Sequence, residues 1–270
     1  MDLGLEGKVA IVTGGSGGIG SAVCEAFAKE GANVVVNYYG DWEKDTAEEL
    51  AKRFGDDFGV SAVAIRADVG IEAEVINLFN MTLERFGRVD IIINNAAAVG
   101  KNYKMFCPIE EFEVEVFKRM QDVSLNGPMV LCREFVKYAK SQGKGGSIIN
   151  MLSKSAFWTN SNYNLGYASV KGGKAFMTKS LAHEVGPYGI RVNGVIPGYV
   201  AGPAVDQESD YYKKKAVMLP MGRWATPPEI ADVIVFLCSD KAILINGDFV
   251  DCTGGCLCGD SLANVVQYRS

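Results

Sequence analysis

Tyr167 and Lys171 are the pair of residues whose types and spacing could do chemistry. On a helix, residues four apart project from the same face about one turn apart, so the two side chains can act together. A free tyrosine has a pKa of about 10 and is a weak base at neutral pH, whereas an adjacent ammonium favours the phenolate. The pair therefore predicts a proton donor or acceptor, Tyr167, tuned by Lys171. Taken alone, such a pair is ordinarily only an exposed contact.

A second candidate site is the glycine-rich segment TGGSGGIG at residues 13–20, which leads from an apolar run into a helical pattern. Glycines at a strand-to-helix turn let the backbone approach a ligand closely. The free N–H groups and positive dipole end of a helix N-terminus suit a dinucleotide pyrophosphate. We therefore expect a cofactor to contact Gly14, Ser16, Gly18 and Ile19. A turn that uses its glycines only for tight packing is the alternative.

Short runs rich in valine and isoleucine alternate along the chain with amphipathic stretches of helical length, a pattern typical of βαβ units that build a parallel sheet. The predicted strands are Val9–Thr13, Asn33–Asn37, Ala62–Arg66, Ile91–Asn94, Ser147–Asn150, Arg191–Ile196 and Asp248–Val250. The predicted helices are Ser21–Glu30, Glu43–Phe54, Glu72–Phe86, Ile109–Lys140 with a break at Gly127-Pro128, Tyr167–Val185 and Pro228–Ser239. We expect an α/β fold with one doubly wound parallel sheet of seven strands, in a single domain over residues 1–270.

The segment from Gly198 to Met221 interrupts this alternation with glycine, proline, aromatic and charged residues. Long segments of this kind often form active-site lids, so a substrate loop is expected at residues 198–221, with a plain surface insertion as the alternative. The Met105–Phe117 and Tyr199–Met218 regions contribute apolar and aromatic side chains that could line a substrate pocket or pack in the core.

Composition and charge narrow the classes of function. Apolar residues make up 48% of the sequence and charged residues 22%, which is typical of a globular protein. A formal net charge of -5, with no basic block beyond Lys213–Lys215, argues against nucleic acid or a membrane surface as a partner. No stretch approaches ~18 apolar residues, and no signal-like segment opens the chain, so a soluble, cytoplasmic protein is expected.

The cysteines indicate neither a disulfide framework nor a clear metal site. The seven cysteines lack regular spacing, and buried free thiols are common in apolar segments. The cysteines within such segments are Cys24, Cys107, Cys132 and Cys238. The cluster Cys252, Cys256 and Cys258 approaches metal-ligand spacing, but the single histidine lies far away in the sequence. We expect reduced cysteines and no metal, with zinc as the weaker alternative.

Several motifs together resemble the short-chain dehydrogenase/reductase family and span nearly the whole chain. They are the TGxxxGxG pattern at residues 13–20, Asn94-Asn95-Ala96-Ala97, which is similar to NNAG, Tyr167-Ala168-Ser169-Val170-Lys171, which is similar to YxxxK, and Pro197-Gly198. The resemblance implies a Rossmann-like fold and an NAD(P)-dependent oxidoreductase that interconverts a ketone and a secondary alcohol by hydride transfer. It also implies a homodimer or homotetramer built on the long helices that follow strands four and five.

The resemblance implies further catalytic residues. A serine at the end of strand five hydrogen-bonds the reacting oxygen in this family, and Ser153 fits that position best, with Ser155 as the nearby competitor. Lys171 also holds the nicotinamide ribose. Many members have an asparagine in the fourth helix that helps to hold a water on the proton path. Here Ser124, and not Asn126, aligns with it, which puts the proton relay in doubt.

The resemblance leaves the choice of cofactor open between NADP and NAD. NAD-selective members carry an acidic residue where this chain has Tyr38, and NADP users often have an arginine where it has Tyr39. Gly17 likewise lacks the basic side chain that often accompanies NADP. We favour NADP as the cofactor, with NAD as the alternative. The other cofactor contacts that the resemblance implies are Asp68, Val69, Asn95, Ala96, Tyr167, Lys171, Pro197, Gly198 and Val200.

We expect a small-molecule carbonyl compound or alcohol as the substrate, and a cyclic ketone, a steroid-like compound, a 3-oxoacyl thioester and a sugar all fit. An epimerase or dehydratase of the extended branch of the same superfamily would usually need a longer C-terminal domain. A catalytically silent nucleotide-binding regulator of the same fold is the alternative from another class. The combination of Ser153, Tyr167 and Lys171 argues against it.

Overall fold

The computed structural model describes residues 2–98, 106–158, 163–203 and 205–257. Its centre is a seven-stranded sheet in the order β3-β2-β1-β4-β5-β6-β7, and every neighbouring pair is parallel. The strands are β1 Val9–Val12, β2 Asn33–Tyr38, β3 Ala62–Arg66, β4 Ile91–Asn94, β5 Gly146–Met151, β6 Ile190–Pro197 and β7 Phe249–Cys252. The predicted doubly wound α/β sheet is therefore confirmed.

Helices cover both faces of the sheet. They are α1 Gly18–Lys29, α2 Lys44–Phe58, α3 Glu72–Phe86, α4 Val114–Gln121, α5 Gly127–Gln142, α6 Leu165–Val185, α7 Asp210–Ala216 and α8 Pro227–Cys238. One core cluster joins the sheet to α1, α2 and α8, and a second joins its other face to α3, α4, α5 and α6. Because both faces are covered, the central strands are fully buried, which explains their unbroken apolar sequences.

The long helix predicted over Ile109–Lys140 differs from the structure. Regular helix begins at Val114, and a π-helical turn over Asp122–Asn126 separates α4 from α5. The predicted break at Gly127-Pro128 is thus wrong in position, since α5 begins there and the irregular turn precedes it. Proline fits the first turn of a helix because its missing N–H is not needed there. At Gly127 any Cβ would overlap the carbonyl oxygen of Val69.

Two further differences concern helices on the surface. The predicted second helix ended at Phe54, whereas α2 continues to Phe58 and ends at Gly59, whose φ of 71° closes the helix in the left-handed conformation. Inside the predicted substrate loop, α7 was not predicted, and the Ser209 hydroxyl caps it by accepting from the Tyr212 N–H at 3.2 Å.

The chain leaves β1 and β4 in opposite directions, because β2 lies beside β1 on one side and β5 beside β4 on the other. At such a switch point the connections diverge and leave a crevice outside the carboxyl ends of the strands. The glycine turn, Asn95 and Pro197-Gly198 lie at carboxyl ends of strands at this edge, and Tyr167 and Lys171 lie on α6, the next α-helix after β5. In the part of the chain that the structure describes, no helix combines the length and apolar character needed to cross a membrane.

Candidate active site

The glycine turn after β1 uses its glycines for different purposes. Gly14 has a φ of +63° and donates its N–H to Asn37 Oδ1 at 3.1 Å, which ties the turn to β2. A Cβ on Gly20 would overlap the Gly14 carbonyl oxygen, whereas a Cβ on Gly18 would meet nothing within 4 Å. Gly20 therefore serves the packing of α1 against the turn, and Gly18 lies at open space where a ligand can approach.

The N-terminus of α1 fits the phosphates of a dinucleotide. The helix begins at Gly18, and its N-cap residue, Gly17, offers no side-chain cap to the free N–H groups. The Ser16 hydroxyl is buried and lacks a hydrogen-bond partner among the described residues. Buried polar groups are normally paired, so an unpaired hydroxyl beside free helix N–H groups indicates a site for an anionic oxygen. Ile19 packs partly buried against the core and holds the turn in place.

A set of hydrogen bonds from Thr13 locks this turn to the end of β4. The Thr13 hydroxyl accepts from the Asn95 and Ala96 N–H groups, both at 3.0 Å. Asn95 Nδ2 in turn donates to the carbonyl oxygens of Thr13 at 2.9 Å and Gly14 at 3.2 Å. Sequence reasoning missed Thr13, although a hydroxyl directly before the first glycine of the turn was a usable signal.

A cleft of about 410 Å³ continues from the glycine turn past the ends of β2 and β3. Val69 and Ala96 line it, and so does Tyr39, which is 43% exposed. Tyr38 is only 7% exposed and belongs to the core. Of the two tyrosines singled out from the sequence, the structure therefore brings Tyr39 into the cleft and leaves the Tyr38 side chain in the core.

The same cleft contains Arg119 of α4, which the sequence did not single out. Its Nη2 atom lies 2.9 Å from Asp68 Oδ1, and its guanidinium carbon lies 5.3 Å from the ring centroid of Tyr39. Arg119 thus links the residue after β3 to the aromatic ring after β2. Arg119 and Asp68 are 51 residues apart in the sequence, which explains why no local pattern predicted their pairing.

Tyr167 and Lys171 lie on the first turns of α6, as their spacing predicted. Lys171 is 2% exposed and donates from Nζ to the Met151 carbonyl oxygen at 2.9 Å. The same Nζ atom lies 5.6 Å from the centre of the Tyr167 ring. The amine of Lys171 is therefore held in place beside the tyrosine, at a buried site where screening by water is small.

Ser153 and Ser155 have different surroundings. Ser153 follows β5 by two residues, and its Oγ accepts from the Ser155 N–H at 3.2 Å. Since the hydroxyl acts as an acceptor in this bond, its proton stays available to an oxygen at the site. The Ser155 Oγ accepts from Asn164 Nδ2 at 2.9 Å, at the start of α6. Ser155 therefore joins two parts of the fold, which favours Ser153 as the residue that contacts substrate.

Ser124 lies inside the π-helical turn and is 3% exposed. Asn126, in the same turn, instead donates from Nδ2 to Asp122 Oδ1 at 2.9 Å on an exposed surface. Of the two residues, Ser124 faces the interior near α6. π-Helical turns inside α-helices frequently occur at functional sites.

The end of β6 and the segment after it complete the edge of the site. Pro197 ends β6, Gly198 lies against Thr253, and Val200 forms an isolated parallel bridge with Ala225. Beyond them the segment forms its own small core around Trp224, against which Tyr199 and Tyr212 pack with ring centroids 5.0 Å away.

Lys154 connects this segment to the turn that carries Ser153. Its Nζ atom lies 4.1 Å from the centroid of the Tyr199 ring and 3.9 Å from the Sγ atom of Cys256. Because Lys154 directly follows Ser153, the 198–221 segment contacts the turn that carries the candidate catalytic hydroxyl. A cation over an aromatic face stabilises such a contact by about 0.5–1 kcal/mol.

The cysteine cluster near the C-terminus forms no visible ligand set. Cys252 is half-buried and Cys256 is buried, while Cys258 lies outside the described residues. Within residues 2–98, 106–158, 163–203 and 205–257, no group of three histidine, cysteine, aspartate or glutamate side chains is arranged to hold a metal ion.

Comparison with known proteins gives a consistent family. A family model described as "Enoyl-(Acyl carrier protein) reductase" matches residues 14–256. An uncharacterized oxidoreductase of Bacillus subtilis is 36% identical over 264 residues, covering 92% of this chain and 97% of the relative. The D-threitol dehydrogenase of Mycolicibacterium smegmatis is 34% identical over 257 residues, covering 94% and 95%.

Solved structures agree with this result. A blue fluorescent protein from a metagenomic library, crystallised in complex with NADPH, has 27% sequence identity and a TM-score of 0.84, covering 94% of this chain and 99% of that one. A short-chain type dehydrogenase/reductase from Mycobacterium marinum has 29% identity and a TM-score of 0.85, covering 94% and 97%.

Proposed function

Because the chain belongs to the short-chain dehydrogenase/reductase family and is an oxidoreductase, we propose that it interconverts a ketone and a secondary alcohol by hydride transfer with a nicotinamide cofactor. The observation that carries the proposal is the position of Lys171. Its buried ammonium is held by the Met151 carbonyl beside the Tyr167 ring, and Ser153 lies two residues beyond Met151. A tyrosine, a cation and a hydroxyl at one strand end suit proton transfer to an oxygen.

In the direction of reduction, Tyr167 donates its phenolic proton to the substrate oxygen while the Ser153 hydroxyl donates a hydrogen bond to the same oxygen as negative charge develops. The Lys171 ammonium stabilises the phenolate that Tyr167 becomes. When bound, the nicotinamide supplies the hydride, and in oxidation it takes one up. In oxidation the phenolate of Tyr167 accepts the hydroxyl proton.

We propose NADP as the cofactor, with NAD as the second candidate. The free N–H groups at Gly18, the Ser16 hydroxyl and Ile19 would hold its phosphates. Asp68 and Val69 with Tyr39 would border its adenosine, and the remaining contacts would come from Asn95, Ala96, Lys171, Pro197, Gly198 and Val200. The NADPH complex of the similar fluorescent protein supports NADP. Tyr38, which stands where an acidic NAD determinant would be, carries no charge that opposes a 2′-phosphate.

We propose that the substrate is a carbonyl or alcohol compound and that the 198–221 segment encloses it. The whole chain would form a single catalytic domain. The Lys154–Tyr199 contact supports this role for the segment, since it connects the segment to the Ser153 turn. The activity named for the D-threitol dehydrogenase relative supports the sugar-like member of the candidate set. Ser124 would assist the proton path by holding a water through its hydroxyl or backbone.

We also propose a homo-oligomer that uses the outer faces of α5 and α6. A groove of about 850 Å³ lies there, away from the catalytic residues, and exposed apolar side chains such as Met129 and Phe176 line it. Large exposed apolar patches commonly mark protein interfaces. Light scattering on the purified protein is expected to give the mass of a dimer or tetramer. The mass of a monomer would contradict the proposed homo-oligomer.

The function is tested by mixing the purified protein with NADPH or NADH and following the loss of nicotinamide absorbance against ketosteroids, cyclic ketones, 3-oxoacyl thioesters and keto-sugars. We expect turnover with at least one class, faster with NADPH than with NADH. Tight binding of the cofactor without turnover across the whole set would contradict the enzymatic proposal and favour a regulator.

A further inference from the structure

Lys174 is a second lysine of α6 that the mechanism above does not use. It lies one turn after Lys171, is 0% exposed, and donates from Nζ to the Asn94 carbonyl oxygen at 2.9 Å. Lys171 donates to the Met151 carbonyl in the same way. Because Asn94 of β4 is the register partner of Asn150 of β5, the two amines bind neighbouring strands next to one another.

The polar groups around Lys174 are uncharged. Asn94 Nδ2 donates to Asn150 Oδ1 at 2.9 Å, and Asn150 Nδ2 donates to the Thr178 hydroxyl at 2.9 Å. That hydroxyl donates to the Lys174 carbonyl at 2.9 Å, which closes the network. None of the ion pairs formed by the described residues includes Lys171 or Lys174.

The titratable groups that act on Lys174 are Lys171 on its own helix and Cys132 on α5, while β4 and β5 present only amides. Burial raises the pKa of the Cys132 thiol to about 11, so it supplies no negative charge at neutral pH. Burial first, and the like charge of Lys171 second, hold the pKa of Lys174 well below its ordinary value. Two ammonium groups in this buried, carboxylate-free surrounding would repel each other and lose most of their hydration.

Building on the proposed function, we propose that Lys174 is a positioning residue for proton transfer: as a neutral amine it holds the carboxyl end of β4 against α6 and leaves the single positive charge of the lysine pair on Lys171, beside Tyr167. Asn94 directly precedes Asn95, which locks the glycine turn, so the same hydrogen bond connects the catalytic helix to the proposed cofactor site. When Lys174 takes up a proton from solvent in acid, the two buried ammonium groups repel each other, so Lys171 is displaced from its position beside Tyr167 and the forming phenolate loses the contact that stabilises it.

The activity test is the pH dependence of kcat for carbonyl reduction by NADPH. If the tyrosine were the only titrating group, kcat would not fall toward acid pH, because the protonated phenol is the proton donor. We expect the native enzyme to lose about 5-fold or more between pH 7.5 and 5.5 while it remains folded by circular dichroism. Lys174→Met should abolish this fall, and so should Lys174→Gln, which keeps an N–H donor but does not titrate. Thr178→Val, which breaks the same network without removing an amine, should keep it.

A fall on the acid side that persists in Lys174→Met and Lys174→Gln, or one that is absent from the folded native enzyme, would overturn the proposal. A change in kcat that is the same at every pH would assign Lys174 a purely structural role and would also overturn it.

A second measurement needs no turnover and therefore separates this inference from the proposed function. Between the lowered folded-state pKa and the ordinary lysine value, the unfolded chain binds one more proton than the folded chain, so the stability of the native protein rises with pH. Neither Lys174→Met nor Lys174→Gln has a side chain at position 174 that can bind this proton. The Tm of each variant minus the native Tm should therefore fall as pH rises from 6.5 to 9.5, whereas the Thr178→Val difference stays constant. A constant difference for Lys174→Met and Lys174→Gln would show a charged Lys174 and contradict the proposal.

Discussion

The basic side chains at the two ends of the crevice have opposite surroundings. At the catalytic end, Lys171 and Lys174 are buried and bind backbone carbonyls without a carboxylate partner among the described residues. At the other end, Arg119 pairs with Asp68 in a partly exposed cleft. An unpaired buried charge acts strongly on a neighbouring tyrosine, whereas a charge paired with an opposite one acts weakly over distance. We therefore expect substitutions at the catalytic end to change turnover and those at the other end to change cofactor affinity.

Lys171→Met should have the largest effect. It removes the ammonium that stabilises the Tyr167 phenolate, so kcat should fall by about 10³-fold, within the range that general acid–base catalysis contributes. The measurement is steady-state reduction at saturating NADPH. Turnover within about 3-fold of the native value would place the tuning charge elsewhere.

Ser153→Ala and Ser155→Ala form a matched pair that separates the two serines. Loss of a hydrogen-bond donor to a developing oxyanion costs about 10²-fold in kcat, and we expect that loss for Ser153→Ala. Ser155→Ala removes only the acceptor of Asn164 and should lower Tm with kcat changed by less than about 5-fold. The reverse pattern would move the oxyanion contact to Ser155.

Gly18→Ala and Gly20→Ala distinguish ligand approach from packing in the glycine turn. A Cβ at position 20 overlaps the Gly14 carbonyl, so this variant should lose about 1–3 kcal/mol of stability. At position 18 the Cβ meets no protein atom, so the fold should be unaffected while the Kd for NADPH rises about 10-fold. Urea unfolding and fluorescence titration provide the two readouts. Unchanged affinity in Gly18→Ala would mean that the phosphates bind elsewhere.

Arg119→Met should have the smallest effect of the series. Loss of its contacts with Asp68 and Tyr39 should raise the Kd of NADPH about 5-fold with little change in kcat. Arg53→Met, which breaks an exposed ion pair with Glu25, is the matched control and should leave the Kd unchanged. An Arg119 variant that lowers kcat instead would contradict the division between the two ends.

The sheet was predictable from sequence because its central strands are buried on both faces. The run Val9–Val12 and residues 91–93 are apolar without interruption, and the predicted strands match the observed ones to within about two residues. The strand ends fix the crevice, so the positions of the glycine turn and of Asn95 followed as well.

The parts that were missed depend on contacts between distant residues. The π-helical turn precedes Gly127, which packs on the Val69 carbonyl, and no local pattern encodes that approach. The short helix α7 carries a run of lysines and has little apolar periodicity, since it is held by its Ser209 cap and by packing against Trp224. Tertiary packing of this kind overrides local propensity.

Within the site, sequence spacing identified Tyr167 and Lys171 but neither Lys174 nor Arg119. A lysine in a helical pattern ordinarily predicts exposure, and yet Lys174 is fully buried. The usable signal was its position, because a residue three after Lys171 shares the helix face that Lys171 turns toward the sheet.

The most direct test of the central claim is Tyr167→Phe, which removes the phenolic proton and keeps the ring beside Lys171. We predict that NADPH binds to this variant with a Kd within about 2-fold of the native value, while turnover of any accepted carbonyl substrate falls by about 10³-fold or more. A variant that binds NADPH and retains most of the native turnover would contradict the assignment of Tyr167 as the proton donor.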